Sequence, residues 1–535
     1  MNHKQNKGMT KSVTWQNFQQ HYLDLPELGI ALDTSRMNVP DKLPNELEML
    51  FRNAFQQMEN LEKGGIANPD ENRMVGHYWL RNPELAPYQD IKTVISSTLE
   101  KIQTFVEEIH QNKIQPQKAA SFQNVLLLGI GGSTLGPQFV ISALGSGTDR
   151  MQFYFIDNTD PDGIDQLMAS IGKGLGETLT LVISKSGGTK ETRNAMLEVR
   201  DVYEKNGLDF TKHAVAVTGA NSQLDQLAAK ENWLDCFPMW DWVGGRTSVF
   251  SAVGLLPAAL QGLNIYEFLA GAKKMDEITR SPEVSNNPAA LLAWMWHHAG
   301  RGQGEKAMVL LPYKDRLLFF SRYLQQLVME SIGKEKDLVG KKVNQGLTVY
   351  GNKGSTDQHA FVQQLRDGTD NFFVTFIEVL KDRENKSLDV EPGVTSGDFL
   401  QGFLLGTREA LFQNGRTSLT ITLEIINTQT LGALIALFER TVGLYAFLVG
   451  INAYHQPGVE SGKQAAGNVL ELAVKIQHHL RSHPEQKFTA TELADILQKT
   501  INTETVFQLL LHLAANNRVQ KFEAKSPFSA SFQAI

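Results

Sequence analysis

The chain has 535 residues, 42% hydrophobic and 20% charged. That balance supplies cores for two or three domains and argues against global disorder. With 51 Lys and Arg against 58 Asp and Glu, the net charge is −7, which speaks against a nucleic-acid binder built on a strong basic field but leaves room for a local basic pocket for a small anion. The single cysteine, Cys236, rules out an internal disulfide and a cysteine-based zinc site.

Residues 1–118 read as mostly helical, punctuated by Pro40, Pro44, Pro83 and Pro87, and carry no recognisable chemistry. From Asn124 the pattern changes to short apolar, β-branched runs at Val125–Ile130, Phe153–Ile156, Leu179–Ser184 and Ala214–Thr218, separated by segments of helical period. This alternation predicts βαβ units around a parallel sheet. A long helical stretch follows Arg246. The alternation then resumes with runs at Ala307–Leu311, Leu347–Tyr350, Phe372–Val379 and Leu419–Ile426, and with helices over Asp315–Ile332 and Thr428–Val449.

The expected fold is therefore α/β: two tandem doubly wound parallel-sheet domains at 119–285 and 286–475. A helical N-terminal region at 1–118 is expected to pack on the second of them. The remainder, 476–535, is expected to be a small, mainly helical extension, with helices over 491–500 and 504–516 and a short strand at 518–522; a simple packing extension is the favoured reading and a winged-helix-like unit the alternative. The uncharged stretches 247–266 and 441–459 are broken by Gly, Pro, Asn or Gln, so buried helices are expected there rather than membrane spans. The N-terminus lacks the apolar run of a secretory signal, and the expected location is cytoplasmic.

Two glycine-rich turns carry the chemistry. In Gly129-Ile130-Gly131-Gly132-Ser133 a buried strand runs out and a helix begins near Thr134. Glycines let the backbone approach an anion, and the free N–H groups of the helix N-terminus point at it. A dinucleotide fingerprint would need a third glycine where Thr134 stands, although Asp157 at the end of the next strand would suit a ribose. Nicotinamide binding and a purely structural turn stay open at this point. Ser184-Lys185-Ser186-Gly187-Gly188-Thr189 repeats the strand–turn–helix plan with three hydroxyls and a cation, donors that suit a phosphate monoester. Thr189 can equally serve as a helix cap. Two such loops at the C-terminal edge of one parallel sheet point to a ligand there.

Farther along, Gln326 and Glu330 are spaced to share a helix face, and a carboxylate there can act as a general base if water is excluded. The glycine-flanked Arg246 can deliver a guanidinium to a small anion. Segments 351–361 with His359 and 455–463 with Gln456 and Lys463 complete the set. His297-His298 and His478-His479 with His483 suggest metal only superficially, since adjacent helical histidines face apart.

Together the segments Gly129–Gly136, Ser184–Thr192, Gly244–Ser248, Gln326–Lys334, Ser355–Phe361 and Gln456–Lys463 resemble the glucose-6-phosphate isomerase family, in order and over about residues 50–475. The resemblance implies reversible isomerisation of glucose 6-phosphate and fructose 6-phosphate, in glycolysis and gluconeogenesis, through ring opening and a cis-enediol. It implies Glu330 as base, Arg246 as the cation beside it, and His359 with Lys463 as the ring-opening pair. It implies Gly132, Ser133, Ser184, Lys185, Ser186, Thr189, Gln326 and Gln456 as substrate-binding residues. No cofactor, metal, nucleic acid or membrane is implied. The expected assembly is a homodimer in which the histidine segment of each copy completes the other's site. Many family members carry a threonine and a bulky residue where this chain has Ser186-Gly187, so a more mobile loop is expected here. An isomerase that also accepts mannose 6-phosphate and a non-catalytic sugar-phosphate sensor are the alternatives. The sensor has no use for a base.

Overall fold

The computed structural model describes residues 13–497 and 502–535, apart from the side chains of 459–461, 463 and 464. The chain divides into two compact bodies, Met1–His455 and Gln456–Ile535.

Among the described residues the first body is built on two large sheets, of five and six strands, with three two-stranded ribbons beside them. One is wholly parallel, with five strands in the spatial order Gln152–Ile156, Asn124–Leu128, Thr178–Ser184, Ala214–Gly219 and Asp235–Met239. Val125 to Leu128 and Leu179 to Ser184 are buried on both faces, as helices on each side of a parallel sheet require. After Asn124–Leu128 the chain moves to one neighbour, then crosses to Thr178–Ser184 on the other side. The loops leaving the C-terminal ends of these two strands therefore diverge and open a crevice, where doubly wound sheets bind ligands. The fifth strand was not anticipated. Pro238 and Asp235 obscure it, and proline is tolerated because this is an edge strand.

The second sheet runs in the order Tyr22–Leu25, Ile30–Arg36, Ser418–Leu423, Phe372–Val379, Ala307–Pro312 and Val349–Tyr350. Its last four strands are parallel, and the first two form an antiparallel hairpin added to their edge. The N-terminal region is thus not only helical. Beside helices Asn45–Glu62 and Gln89–His110 it donates two strands to this sheet. Ile30–Arg36 lacks the alternation of a half-buried strand because it is covered on both faces. Its Asp33 is paired with Arg408 at 2.7 Å.

One apolar cluster runs through both sheets, from Val125 and Leu181 to Leu310 and Phe373, so the core does not break near residue 285. Helix Thr428–Leu448 threads its centre. It is long and apolar enough to cross a membrane, yet it is wholly buried inside the protein. Its Glu439 and Arg440 enter a buried ionic network. Arg81 pairs with Asp276 at 2.6 Å and with Glu439, while Glu62 takes Arg440 at 2.6 Å and Arg280 at 3.0 Å. Removing one partner from such a network strands a charge in the core.

The second body begins with helix Pro457–Ser482, some twenty residues before the expected start of the extension. Strand Phe488–Thr489, helices Ala490–Leu497 and Thr503–Ala515, and strands Gln520–Phe522 and Ser531–Gln533 follow. The end of the helix expected over 491–500 lies outside the described residues. The last strand lies between the other two, antiparallel to both, the connectivity of a winged helix. Leu480, Leu493, Val506, Leu510 and Phe532 fill its own core.

Candidate active site

Two glycine segments meet at the crevice. Gly131 has φ +58°, and a Cβ on Gly132 would lie 2.1 Å from the carbonyl oxygen of Gly245. Only glycine allows the two main chains to come that close. Ser248 stitches them, its Oγ donating to Gly245 O at 2.7 Å and to Gly132 O at 3.4 Å. This contact carries Arg246, in the turn Gly245–Thr247, to the first glycine loop.

Arg246 is 6% exposed. Its Nε donates to Ser331 Oγ at 2.7 Å, and its Nη2 donates to the carbonyls of Ala453 and, at 3.2 Å, His455. Its Nη1 lies 3.5 Å from Glu330 Oε2. Burial lowers the guanidinium pKa and Glu330 opposes that shift. The cation is thus held rigidly, with one face toward the carboxylate.

Glu330 ends a π-helical turn, Gln325–Glu330, where an α-helix was expected. Such widened turns recur at functional sites. With the turn widened to i→i+5 bonding, Gln326 and Glu330, four residues apart, still stand on nearly one face. The Gln326 amide nitrogen lies 3.1 Å from where a Gly131 Cβ would be, so the glycine loop, the glutamine, the carboxylate and the arginine are gathered together. The Glu330 side chain keeps 20% exposure, open to a ligand without being bathed in solvent. Lys334 is 5% exposed and donates from Nζ to the Glu330 carbonyl at 2.7 Å. Burial and the nearby Arg246 bring its pKa down to about 7.

The second loop follows the neighbouring strand. Ser184 Oγ donates to Thr189 Oγ1 at 3.1 Å, and Ser186 Oγ lies 3.5 Å from the same atom. Thr189 occupies the N-cap of helix Lys190–Lys205 but makes no side-chain cap bond, so its hydroxyl belongs to this cluster. Gly187, at φ +67°, cannot carry a side chain because a Cβ would lie 2.5 Å from Leu224 N. The Ser186-Gly187 variation is therefore a close approach to the 222–224 turn. Lys185 spends its ammonium on the carbonyls of Asp241 at 3.2 Å and Val243 at 3.1 Å, tying this loop to the segment that leads into Arg246.

Ser133 lies in the turn Gly131–Ser133 at the first loop. His359 stands exposed at the end of the turn Thr356–His359, in a different segment of the first body. Gln456 belongs to the second body, and the Lys463 side chain lies outside the described residues. Ser331, Lys334 and the Gly132–Gly245 approach went unassigned on sequence grounds. Lys334 closes the Gln326–Lys334 motif, but nothing in a lysine's spacing announces that it will be buried.

A loop of hydroxyls and a glycine-lined turn at the edge of the five-stranded sheet, with a carboxylate facing a buried guanidinium beside that turn, are the parts an aldose–ketose isomerase needs. The phosphoglucose isomerase family model matches residues 33–487. The chain belongs to the phosphoglucose isomerase family. Glucose-6-phosphate isomerase of Geotalea daltonii is 60% identical over 508 residues, 95% of this chain and 96% of that protein. The Geobacter sulfurreducens enzyme is 60% identical over 525 residues, 98% and 99% of the two chains, so the likeness extends into the C-terminal body. A crystal structure of a glucose-6-phosphate isomerase from Chlamydia trachomatis superimposes with a TM-score of 0.78 at 27% identity, covering 86% of this chain and 91% of that one. The α/β fold and the isomerase reading made from the motifs both stand, and the non-catalytic sensor reading falls away.

Proposed function

We propose that this chain interconverts glucose 6-phosphate and fructose 6-phosphate as a glycolytic and gluconeogenic enzyme, with the following division of labour. The hydroxyls of Ser133, Ser184, Ser186 and Thr189 and the amides of the two glycine loops hold the phosphate, with Gln326 beside it; Gln456 is assigned to substrate binding by the family resemblance alone. Lys185 contributes its main-chain amide, since its ammonium is engaged with Asp241 and Val243. This grip lies away from the reacting carbons and supplies orientation.

His359, contributed by a second copy in a homodimer, and Lys463 open the ring, one taking the hydroxyl proton and the other supporting the ring oxygen. This pair is carried by the family resemblance. Glu330 removes the C-2 proton, a cis-enediol forms, and the same carboxyl returns the proton to C-1. Arg246 balances the negative charge that develops on the oxygen, a task for which a fixed, weakly hydrated cation is well suited. The enzyme works in the cytoplasm.

The observation that carries the reading is the 3.5 Å approach of Arg246 to Glu330 beside the Gly132 loop. The test is incubation of the purified chain with fructose 6-phosphate in deuterated water, without added metal or nucleotide. Glucose 6-phosphate is expected, with deuterium at C-2 to the extent that the carboxyl exchanges its proton with solvent before delivering it, and failure to form glucose 6-phosphate would overturn the reading.

A further inference from the structure

We propose that Lys334 is a positioning residue for the isomerisation, a second buried cation that fixes the main chain of Glu330 and shares with Arg246 the electrostatic environment of that carboxylate. The inference rests on the assignment of Glu330 as base.

Lys334 opens strand Lys334–Lys336, which pairs antiparallel with Lys342–Gln345. Its strand neighbours Glu335 and Lys336 are exposed, while Lys334 is buried. A lysine at a strand end can swing its ammonium into water, so burial here has to be compensated. The compensation in hydrogen bonds is thin. Among the described residues the ammonium has one acceptor, the Glu330 carbonyl oxygen at 2.7 Å, against a capacity of three donors. Packing alone would be served as well by methionine.

The place of that one bond is informative. Glu330 is the last residue of the π-helical turn, and the terminal carbonyls of a helix lack partners within it. A cation on such a carbonyl also meets the negative end of the helix dipole. Lys334 therefore pins the Cα from which the base projects, while Ser331, the next residue, is pinned by Arg246 Nε at 2.7 Å. The two cations grip consecutive residues of the segment that carries the carboxylate.

The charged groups facing Lys334 come from four segments. They are Arg246 from the glycine turn, Glu330 from its own turn, Asp70 from the Ile66–Met74 hairpin and His455 from the end of the first body. Burial and Arg246 push the ammonium down and the two carboxylates oppose them, leaving Lys334 at about 7. His455 is shifted down by burial and adds little positive charge near neutrality. Lys334 therefore gives up its proton as pH rises through about 7, and the site then passes from two cations to one. The turnover number should carry an alkaline limb that belongs to this group.

The test is steady-state conversion of fructose 6-phosphate by the full chain between about pH 6 and 9, for the wild type, Lys334→Met and Lys334→Arg. Lys334→Met is expected to lower kcat about 10- to 100-fold with KM little changed, the size of a loss of alignment, and to abolish the limb. Lys334→Arg is expected to restore most of kcat and to move the limb out of the range, since a guanidinium keeps its proton. If Lys334→Met does not fold, Lys334→Arg decides alone, because an unmoved limb overturns the inference. A wild-type kcat in Lys334→Met, or a loss expressed only in KM, overturns it as well. A wild type with no isomerase activity would instead sink the assignment of function.

Discussion

Replacing Glu330 by glutamine removes a charge and a base while leaving shape intact. At 3.5 Å from Arg246 the pair's gross attraction is roughly 5 kcal/mol at an effective dielectric of about 20. Little of that reaches folding stability. The carboxylate is partly solvated already, and Arg246 keeps Ser331 and the carbonyls of Ala453 and His455 as acceptors. A loss of about 1 kcal/mol and a melting shift of about 1–3 °C are expected. Turnover should respond very differently. Loss of a general base costs about 10²–10⁴ in kcat, or about 2.7–5.5 kcal/mol at 1.36 kcal/mol per tenfold. KM should stay within a few-fold because the phosphate loops are untouched. The assay follows glucose 6-phosphate formed from fructose 6-phosphate, with calorimetry on the same preparation. A variant retaining near-wild-type kcat, or one whose loss appears wholly in KM or in unfolding, would refute the assignment of Glu330 as base.

Other substitutions test the frame around it. Gly132→Ala places a methyl 2.1 Å from the Gly245 carbonyl; it should destabilise by about 1–3 kcal/mol and depress kcat/KM by moving Arg246, and an unchanged enzyme would show that the two loops do not meet. Ser184→Ala removes the hydroxyl that donates to Thr189 and should raise KM about tenfold, the usual worth of a hydrogen bond to a charged group, while kcat is held; a kcat effect alone would place Ser184 outside the phosphate site. Burial, helped by Arg81, Arg440 and Arg246, holds His77 well below its ordinary 6.5. The folded chain keeps it neutral while the unfolded chain gains a proton, so stability should fall as pH drops below about 6.5, by about 1.4 kcal/mol per pH unit for this group until the folded imidazole also protonates. His77→Phe should flatten that part of the acid-unfolding curve, and a superimposable curve would refute the neutral buried imidazole.

The parts of the molecule legible in the sequence are those whose signal is local. Leu179–Ser184 announces a buried strand because every residue is apolar, β-branched or hydroxylated, and the glycines after it announce a turn. Glu330 and Gln326 are read together because helical spacing puts them on nearly one face, whether the turn is α or π. The strand Asp235–Met239 and the hairpin Tyr22–Leu25 and Ile30–Arg36 escaped for opposite reasons. The first carries a proline that only an edge permits. In the second, Ile30–Arg36 shows no alternation because it is buried along nearly its whole length, and Tyr22–Leu25 is a four-residue strand that stays mostly exposed.

Chain order and residue type by themselves determined a doubly wound α/β protein with two anion-ready turns at sheet edges, a candidate base and a candidate cation, since backbone propensity, glycine's freedom and charge are properties of short segments. Only the tertiary structure decided that Gly132 and Gly245 touch, that Lys185 is tied to the 241–243 turn, that Thr189 leaves its cap, that Lys334 lies buried beneath Glu330, and that the chain from Gln456 onward forms a body of its own. Those facts depend on which distant segments exclude water from one another, and packing of that kind is a property of the whole fold.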